Sequence, residues 1–132
     1  MNTALYHHEL LDHYKNPRNN GIIESADARA TSSNPSCGDV LVMYVRWNED
    51  ILADVRFQGK GCVISQAAAS LLTELCKEKP LSFITALIKD DMLNLLGIPL
   101  GPTRLRCALL SLEALHQACA HSKIPTETLY VR

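Results

Sequence analysis

An α+β fold is predicted for this chain of 132 residues by three features of its order. Apolar residues recur at helical spacing near the start, strand-like runs occupy the middle, and helical spacing returns after Gly59 and Gly61. Thr3 to Lys15 reads as a helix because Leu5, His8 and Leu11, together with Leu10 and Tyr14, recur turn by turn, and Asn16-Pro17 stops it. Arg18 to Gly21 is a turn. Ile22 to Ser33 is polar and loosely extended, as an edge strand would be. Val40 to Trp47 is rich in Val, Leu and aromatic residues and reads as a strand, followed by a tight turn at Asn48-Glu49-Asp50. From Ile51 to Gln58 the apolar Ile51, Ala53, Val55 and Phe57 alternate with Leu52, Asp54, Arg56 and Gln58, which predicts a sheet with one buried face.

Beyond the two glycines, Ile64 to Lys79 has helical period, and its alanines allow close packing against a neighbour. Pro80 to Leu96 reads as one or two shorter helices, and Gly97 to Pro102 as a loop, since its prolines forbid a continuous helix. Leu105 to Ala120 is the last helix, and the tail from Lys123 to Arg132, with Pro125, is expected to be peripheral. No internal repeat or low-complexity linker divides the chain, so residues 1–132 are expected to form one domain.

Composition narrows the function classes. Hydrophobic residues make up 47% of the chain, ordinary for a protein with a packed core. The formal net charge is −1 and no basic run is present, which argues against a nucleic-acid partner. No apolar run reaches the ~20 residues that a membrane-spanning helix needs. Met1 to Leu11 lacks the layout of a signal or transit peptide, and the cysteines, five in number, are odd in count, so free thiols in a reducing cytoplasm are expected.

Three of those cysteines lie in settings that suit a reactive thiolate or a metal ligand. Cys37 sits in the turn Asn34-Pro35-Ser36-Cys37-Gly38-Asp39, Cys62 ends the glycine-rich Gly59-Lys60-Gly61-Cys62, and Cys107 ends the basic Arg104-Leu105-Arg106-Cys107. Cys62 and Cys107 are each read at a helix N-terminus, where free N–H groups and the dipole favour a thiolate. Asp39 offers a carboxylate two residues from Cys37. Three sulfurs and one oxygen would make a tetrahedral zinc site or an incomplete cage for an iron–sulfur cluster. Spacing alone is a weak signal, because 24 and 44 residues separate the three cysteines and no Cys-x-x-Cys pair occurs. The same cysteines also read as ordinary buried residues, and the local contexts leave both readings open. Cys76 and Cys119 fall on apolar helix faces and are expected to pack in the core. His7, His8 and His13 read as surface or satisfied-core residues, and His116 is too far along its helix from Cys107 to share an ion.

Four motifs together resemble a family, the iron–sulfur cluster assembly scaffolds of the IscU, SufU and NifU N-terminal type. They are Asp12-His13-Tyr14-Lys15-Asn16-Pro17-Arg18-Asn19, Asn34 to Asp39, Phe57 to Ala67, and Arg104-Leu105-Arg106-Cys107-Ala108, which occur in order over about residues 5–120. The resemblance implies a three-stranded antiparallel sheet with helices packed against it. It also implies a site at one exposed end made of Cys37, Asp39, Cys62 and Cys107, a cysteine desulfurase as sulfur donor, and apo iron–sulfur proteins as recipients. Two departures stand out. The IscU type carries His before the last cysteine, where this chain has Arg106 as the SufU type does. Yet the SufU type inserts roughly twenty residues before that motif, for which the gap here leaves no room. The segment that the IscU type offers to an Hsp70-type chaperone is replaced by Leu100-Gly101-Pro102-Thr103-Arg104, so the resemblance does not extend to that partner.

Two functions follow as expectations. The first is a non-enzymatic scaffold that receives sulfur, builds a transient [2Fe–2S] cluster on Cys37, Cys62 and Cys107 with Asp39 as the exchangeable fourth ligand, and passes it on. The alternative is a Zn2+-dependent sulfur acceptor, a sulfurtransferase, on the same four residues. Cys37 and Cys107 are the candidate sulfur acceptors, Cys37 for its glycine-containing turn and Cys107 for its helix start and two arginines. Arg104 and Arg106 are read as modulating residues, Arg106 by stabilising the Cys107 thiolate or by pairing with Asp39, since a guanidinium does not bind metal.

Overall fold

In the computed structural model, which describes residues 3–122, the elements run α1 (Thr3–Lys15), β1 (Ala28–Asn34), β2 (Asp39–Asn48), β3 (Ile51–Lys60), α2 (Val63–Cys76), α3 (Leu81–Thr85), α4 (Lys89–Leu96) and α5 (Pro102–His121). The strands form one antiparallel sheet in the order β1-β2-β3. Helices α2 and α5 pack on one face of it, and α1 packs on α2. The expected α+β layers and three-stranded sheet are therefore present. The Lys123–Arg132 tail lies outside the described residues.

The core lies between sheet and helices. Leu41, Met43 and Val45 of β2 and Leu52, Val55 and Phe57 of β3 are fully buried against Ala67, Ala68, Ala69 and Leu72 of α2 and Ala108, Ala114 and Leu115 of α5. Small residues on both helices let their backbones approach the sheet and each other. Completely burying one Leu- or Val-sized side chain is worth about 1.5–3 kcal/mol, so this shared layer supplies the main force holding the helices in place.

The segment after α1 ties three elements together. His13 Nδ1 lies 2.7 Å from Ser70 Oγ of α2, and Arg18 N–H donates to that same oxygen at 2.9 Å. Asn19 Nδ2 donates to Thr73 Oγ1 at 3.3 Å, and Arg18 closes back on Asp12 at 2.6 Å. The chain then runs along the free edge of β3, with Phe57 N–H donating to Asn19 O and Gly21 N–H to Phe57 O. His13 is thus a satisfied core histidine; burial, with Arg18 nearby, pushes its pKa down. The Asp12–Asn19 motif acts as a brace that fixes α2, and with it the residue at the start of α2, against the sheet.

Several boundaries differ from the sequence reading. The edge strand begins at Ala28 rather than Ile22, because residues 22–27 cross the end of the sheet, where Asp27 N–H bonds Val45 O. Helix α2 ends at Cys76 rather than Lys79, since Glu78 takes a left-handed φ of 70° and turns the chain back to Leu52. Helix α5 starts at Pro102, three residues before the expected Leu105: Pro102 occupies the first turn, where its missing N–H removes no helical bond.

The alternation along β3 also slips. Arg46 pairs with Asp54 but Trp47 pairs with Leu52, which leaves Ala53 as an extra residue opposite no partner. This bulge reverses the phase of the strand, so that Leu52 joins Val55 and Phe57 in the core while Ile51 and Ala53 are only partly covered. Leu52→Ala should therefore destabilise the protein by about 3 kcal/mol, and by more than Ile51→Ala. Urea unfolding of the two variants checks the order. A larger loss for Ile51→Ala would restore the unbroken alternation.

Candidate metal centre

The site forms where two chain reversals meet the second turn of α5 at one end of the sheet. Asn34 and Asp39 face each other as the last pair of β1 and β2, and the turn between them carries Cys37. Asn34 O accepts from Cys37 N–H at 3.1 Å and Gly38 N–H at 2.9 Å, and Gly38 takes the φ of 74° that closes the turn. The neighbouring strand β3 ends at Lys60. Gly61 follows with a φ of 150°, and Cys62 is the N-cap of α2. A side chain on Gly61 would collide with Asp39, its Cβ falling 2.4 Å from the carboxyl carbon. Glycine is thus required there twice, by backbone conformation and by the close approach of Asp39.

These elements bring together residues far apart in the chain. The ligand atoms of Asp39, Cys62 and Cys107 all lie within 4.8 Å of one another. Cys37 lies beside this group rather than within it, its Sγ 3.6 Å from that of Cys107. Cys37 is exposed, Cys62 partly covered, and Asp39 and Cys107 buried. One exposed sulfur thus stands over a sheltered trio of donors.

The carboxylate of Asp39 is held by its neighbours. Burial pushes its pKa up, but hydrogen bonds from the Cys62 thiol and the Cys62 N–H, with further ones from the Cys107 thiol and Ser65, outweigh burial and leave it below the usual value. The Cys62 N–H to Asp39 Oδ2 distance is 3.3 Å. Asp39 is therefore ionised at neutral pH and faces two thiols.

Cys107 behaves differently from the sequence expectation. As the sixth residue of α5 it sits in the second turn, not at the helix start, so the free N–H groups of the terminus are not available to it. Burial, then its hydrogen bonds with Cys37 and Asp39, push its thiol up to about 12. Without an ion the thiol is the stable form, and the helix-start argument for Cys107 as the first sulfur acceptor falls away. Arg104 and Arg106 are exposed, and among the described residues neither pairs with Asp39, whose partners are the cysteines and Ser65.

The other candidates keep structural roles. Cys76 and Cys119 are buried in the core, and burial raises both thiols to about 12. His116 donates from Nε2 to Ile84 O at 2.9 Å, linking α5 to α3. Two site neighbours escaped the sequence reading. Asn34, almost fully buried, directs its carboxamide at Cys37 and Cys107, and Ser65 donates to Cys62 O at 3.1 Å and lies 3.9 Å from Cys62 Sγ. Ser65 lies one turn beyond an N-cap cysteine, which was the available signal; for Asn34 it was the Asn-Pro-Ser turn.

Comparison with known proteins places this arrangement. A family model described as the NifU-like N terminal domain matches residues 5–126. The chain is 39% identical to the iron–sulfur cluster assembly scaffold protein IscU of Aquifex aeolicus, over 86% of this chain and 73% of that one. It is 34% identical to the zinc-dependent sulfurtransferase SufU of Bacillus subtilis, over 89% of this chain and 90% of that one. Among solved structures, a crystal structure titled as a hypothetical protein aligns with TM-score 0.79 and 30% identity, over 90% of this chain and 99% of that one. A putative SUF-system scaffold from Fervidobacterium islandicum AW-1 aligns with TM-score 0.73 and 27% identity, over 84% and 93%. The protein belongs to the NifU-like N-terminal domain family.

The donor chemistry suits a thiophilic ion, since sulfur and carboxylate oxygen bind zinc at about 2.3 and 2.0–2.2 Å and thiolates also hold iron–sulfur clusters. Binding must displace the Cys107 proton, so the ion competes with protons for the site. Gly61→Ala tests the packing that aims Asp39: zinc affinity should fall about tenfold or more while the fold is retained. Chelator competition, with circular dichroism as the control, measures it. An unchanged affinity would mean that Asp39 does not need this approach.

Proposed function

We propose that this chain is an iron–sulfur cluster assembly scaffold, with Cys37, Asp39, Cys62 and Cys107 as the residues that hold the cluster. The observation that carries this reading is the convergence of Asp39, Cys62 and Cys107 within 4.8 Å, with the Cys37 sulfur 3.6 Å from that of Cys107. The IscU relatives, identical at 34–39% over most of this chain, support it. Sulfur comes from a cysteine desulfurase as persulfide. The thiolate of a site cysteine attacks the outer sulfur and the desulfurase thiolate leaves. Cys37 is the accessible acceptor, because it is exposed on its turn. The transferred sulfur is at the sulfane level, so an external reductant, a dithiol or a ferredoxin, supplies the two electrons that turn each such sulfur into sulfide. Iron and sulfide are the cargo, assembled and handed to apo iron–sulfur proteins. A scaffold must release what it builds, and the hard carboxylate of Asp39 is a weaker partner for thiophilic iron than a fourth thiolate.

A second reading has its own observation. Arg104 and Arg106 precede Cys107, as in the SufU type, and the Bacillus subtilis sulfurtransferase aligns over 89% of this chain. On that reading zinc occupies the same donors, and a site cysteine takes the persulfide sulfur. Among the described residues no helix is long and apolar enough to cross a membrane.

Anaerobic reconstitution with ferrous iron, cysteine, a cysteine desulfurase and dithiothreitol as reductant separates the two. The scaffold reading predicts a visible-absorbing [2Fe–2S] species that transfers to an apo-ferredoxin, and slower transfer with a longer-lived cluster for Asp39→Ala. Retained zinc, no cluster, and strong stimulation of desulfurase turnover would favour the sulfurtransferase instead.

A further inference from the structure

We propose that Asn34 is a positioning residue of this site, whose carboxamide fixes the exposed Cys37 as the donor that completes the Asp39–Cys62–Cys107 group. The inference rests on the metal-centre reading and adds to it the device that sets the fourth donor.

Asn34 is 1% exposed, yet it belongs to the last pair of the β1–β2 hairpin rather than to the apolar layer. A buried carboxamide has to find partners for two N–H hydrogens and one oxygen. The oxygen accepts from Ser36 N–H at 3.2 Å. The nitrogen donates to Cys37 Sγ at 3.1 Å and reaches Cys107 Sγ at 3.8 Å. With the Cys37 and Gly38 N–H groups bonded to its backbone oxygen, Asn34 holds the turn through both side chain and main chain.

The choice of sulfur as the partner for a buried donor is the informative part. A neutral thiol is a weak acceptor, so an amide that had only to be satisfied would be better served by oxygen. A sulfur bound to metal carries negative charge, and a hydrogen bond to a charged acceptor is roughly twice as strong as one between neutral groups. The Asn34 contact is therefore worth most when Cys37 is a ligand, and it favours that arrangement over one in which the exposed turn swings away. Among the described residues the Cys37 sulfur has one further contact, with the Cys107 sulfur at 3.6 Å, itself a donor of the group; otherwise its side chain is exposed, and its neighbour Gly38 has nothing within 4 Å of where a Cβ would lie.

Asn34→Asp separates the two parts of the role. Aspartate keeps the size and the oxygen that accepts from Ser36 N–H, but it has no hydrogen for the sulfur. Zinc alone is the first probe: affinity in chelator competition should fall about ten- to a hundred-fold, the usual cost of removing a group that orients a ligand. Cadmium-113 is the second, used with the wild-type chain labelled with nitrogen-15. Proton–cadmium correlation spectra should show a coupling between an Asn34 side-chain hydrogen and the metal, transmitted through the Cys37 sulfur and lost in Cys37→Ser. Absence of that coupling overturns the proposal, and so does a zinc affinity for Asn34→Asp within twofold of the wild type. If Asn34→Asp does not fold, the coupling decides alone. Failure of the wild type to bind either ion would overturn the metal-centre reading together with this one, whereas normal binding with no Asn34 signature overturns this one only.

Discussion

The approach of Asp39 to Gly61 is the constraint on which the site depends. Asp39 opens β2 and Gly61 follows β3, so the two meet only because the strands pair in a register that sets Val40 opposite Lys60. At that point no Cβ fits, and the absence of one lets the Asp39 carboxylate accept from the Cys62 N–H. One contact thus joins the end of the sheet to the beginning of α2. The packing behind it keeps the contact in place: the alanine face of α2 lies on the sheet, and His13, Arg18 and Asn19 hold the far side of α2 through Ser70 and Thr73. A motif that looks functional in sequence, Asp12 to Asn19, serves the site by holding its support.

Charge is arranged to match. An ionised Asp39 accepts hydrogen bonds from the thiols of Cys62 and Cys107, and Cys107, the more buried of the two, is pushed up to about 12, first by burial. The one carboxylate charge is thus held by hydrogen bonds, and Cys107 rests as the thiol. A cation entering the site displaces the Cys107 proton, turning a hydrogen-bond donor into a ligand. The exposed Cys37 differs from the other three in having to be held in place.

Much of this was legible in the sequence because it is local. The helix from Thr3 to Lys15, the strand from Val40 to Trp47 and the place of Cys62 at a helix start follow from period and from glycine placement, and all three stand in the structure. Most of what failed was decided by partners distant in the chain. The phase of β3 depends on a bulge opposite Arg46 and Trp47, which alternation within one strand does not reveal. Pro102 reads as a helix breaker when it is in fact a first-turn residue, and that error moved Cys107 to a terminus it does not occupy. The role of Asn34 was hidden for the same reason, since one of its sulfur contacts spans 73 positions. The four motifs overcame part of this limit, because they identify residues that meet only after folding.

X-ray absorption at the zinc edge of the wild-type protein loaded with one equivalent of zinc tests the four-donor centre most directly. The geometry predicts three sulfur neighbours near 2.3 Å and one oxygen near 2.0–2.2 Å. Asp39→Ala should remove the oxygen neighbour and leave the sulfurs. Two sulfurs or fewer, a histidine nitrogen signature, or an oxygen shell unaffected by Asp39→Ala would contradict the assignment of Cys37, Asp39, Cys62 and Cys107 as one metal centre.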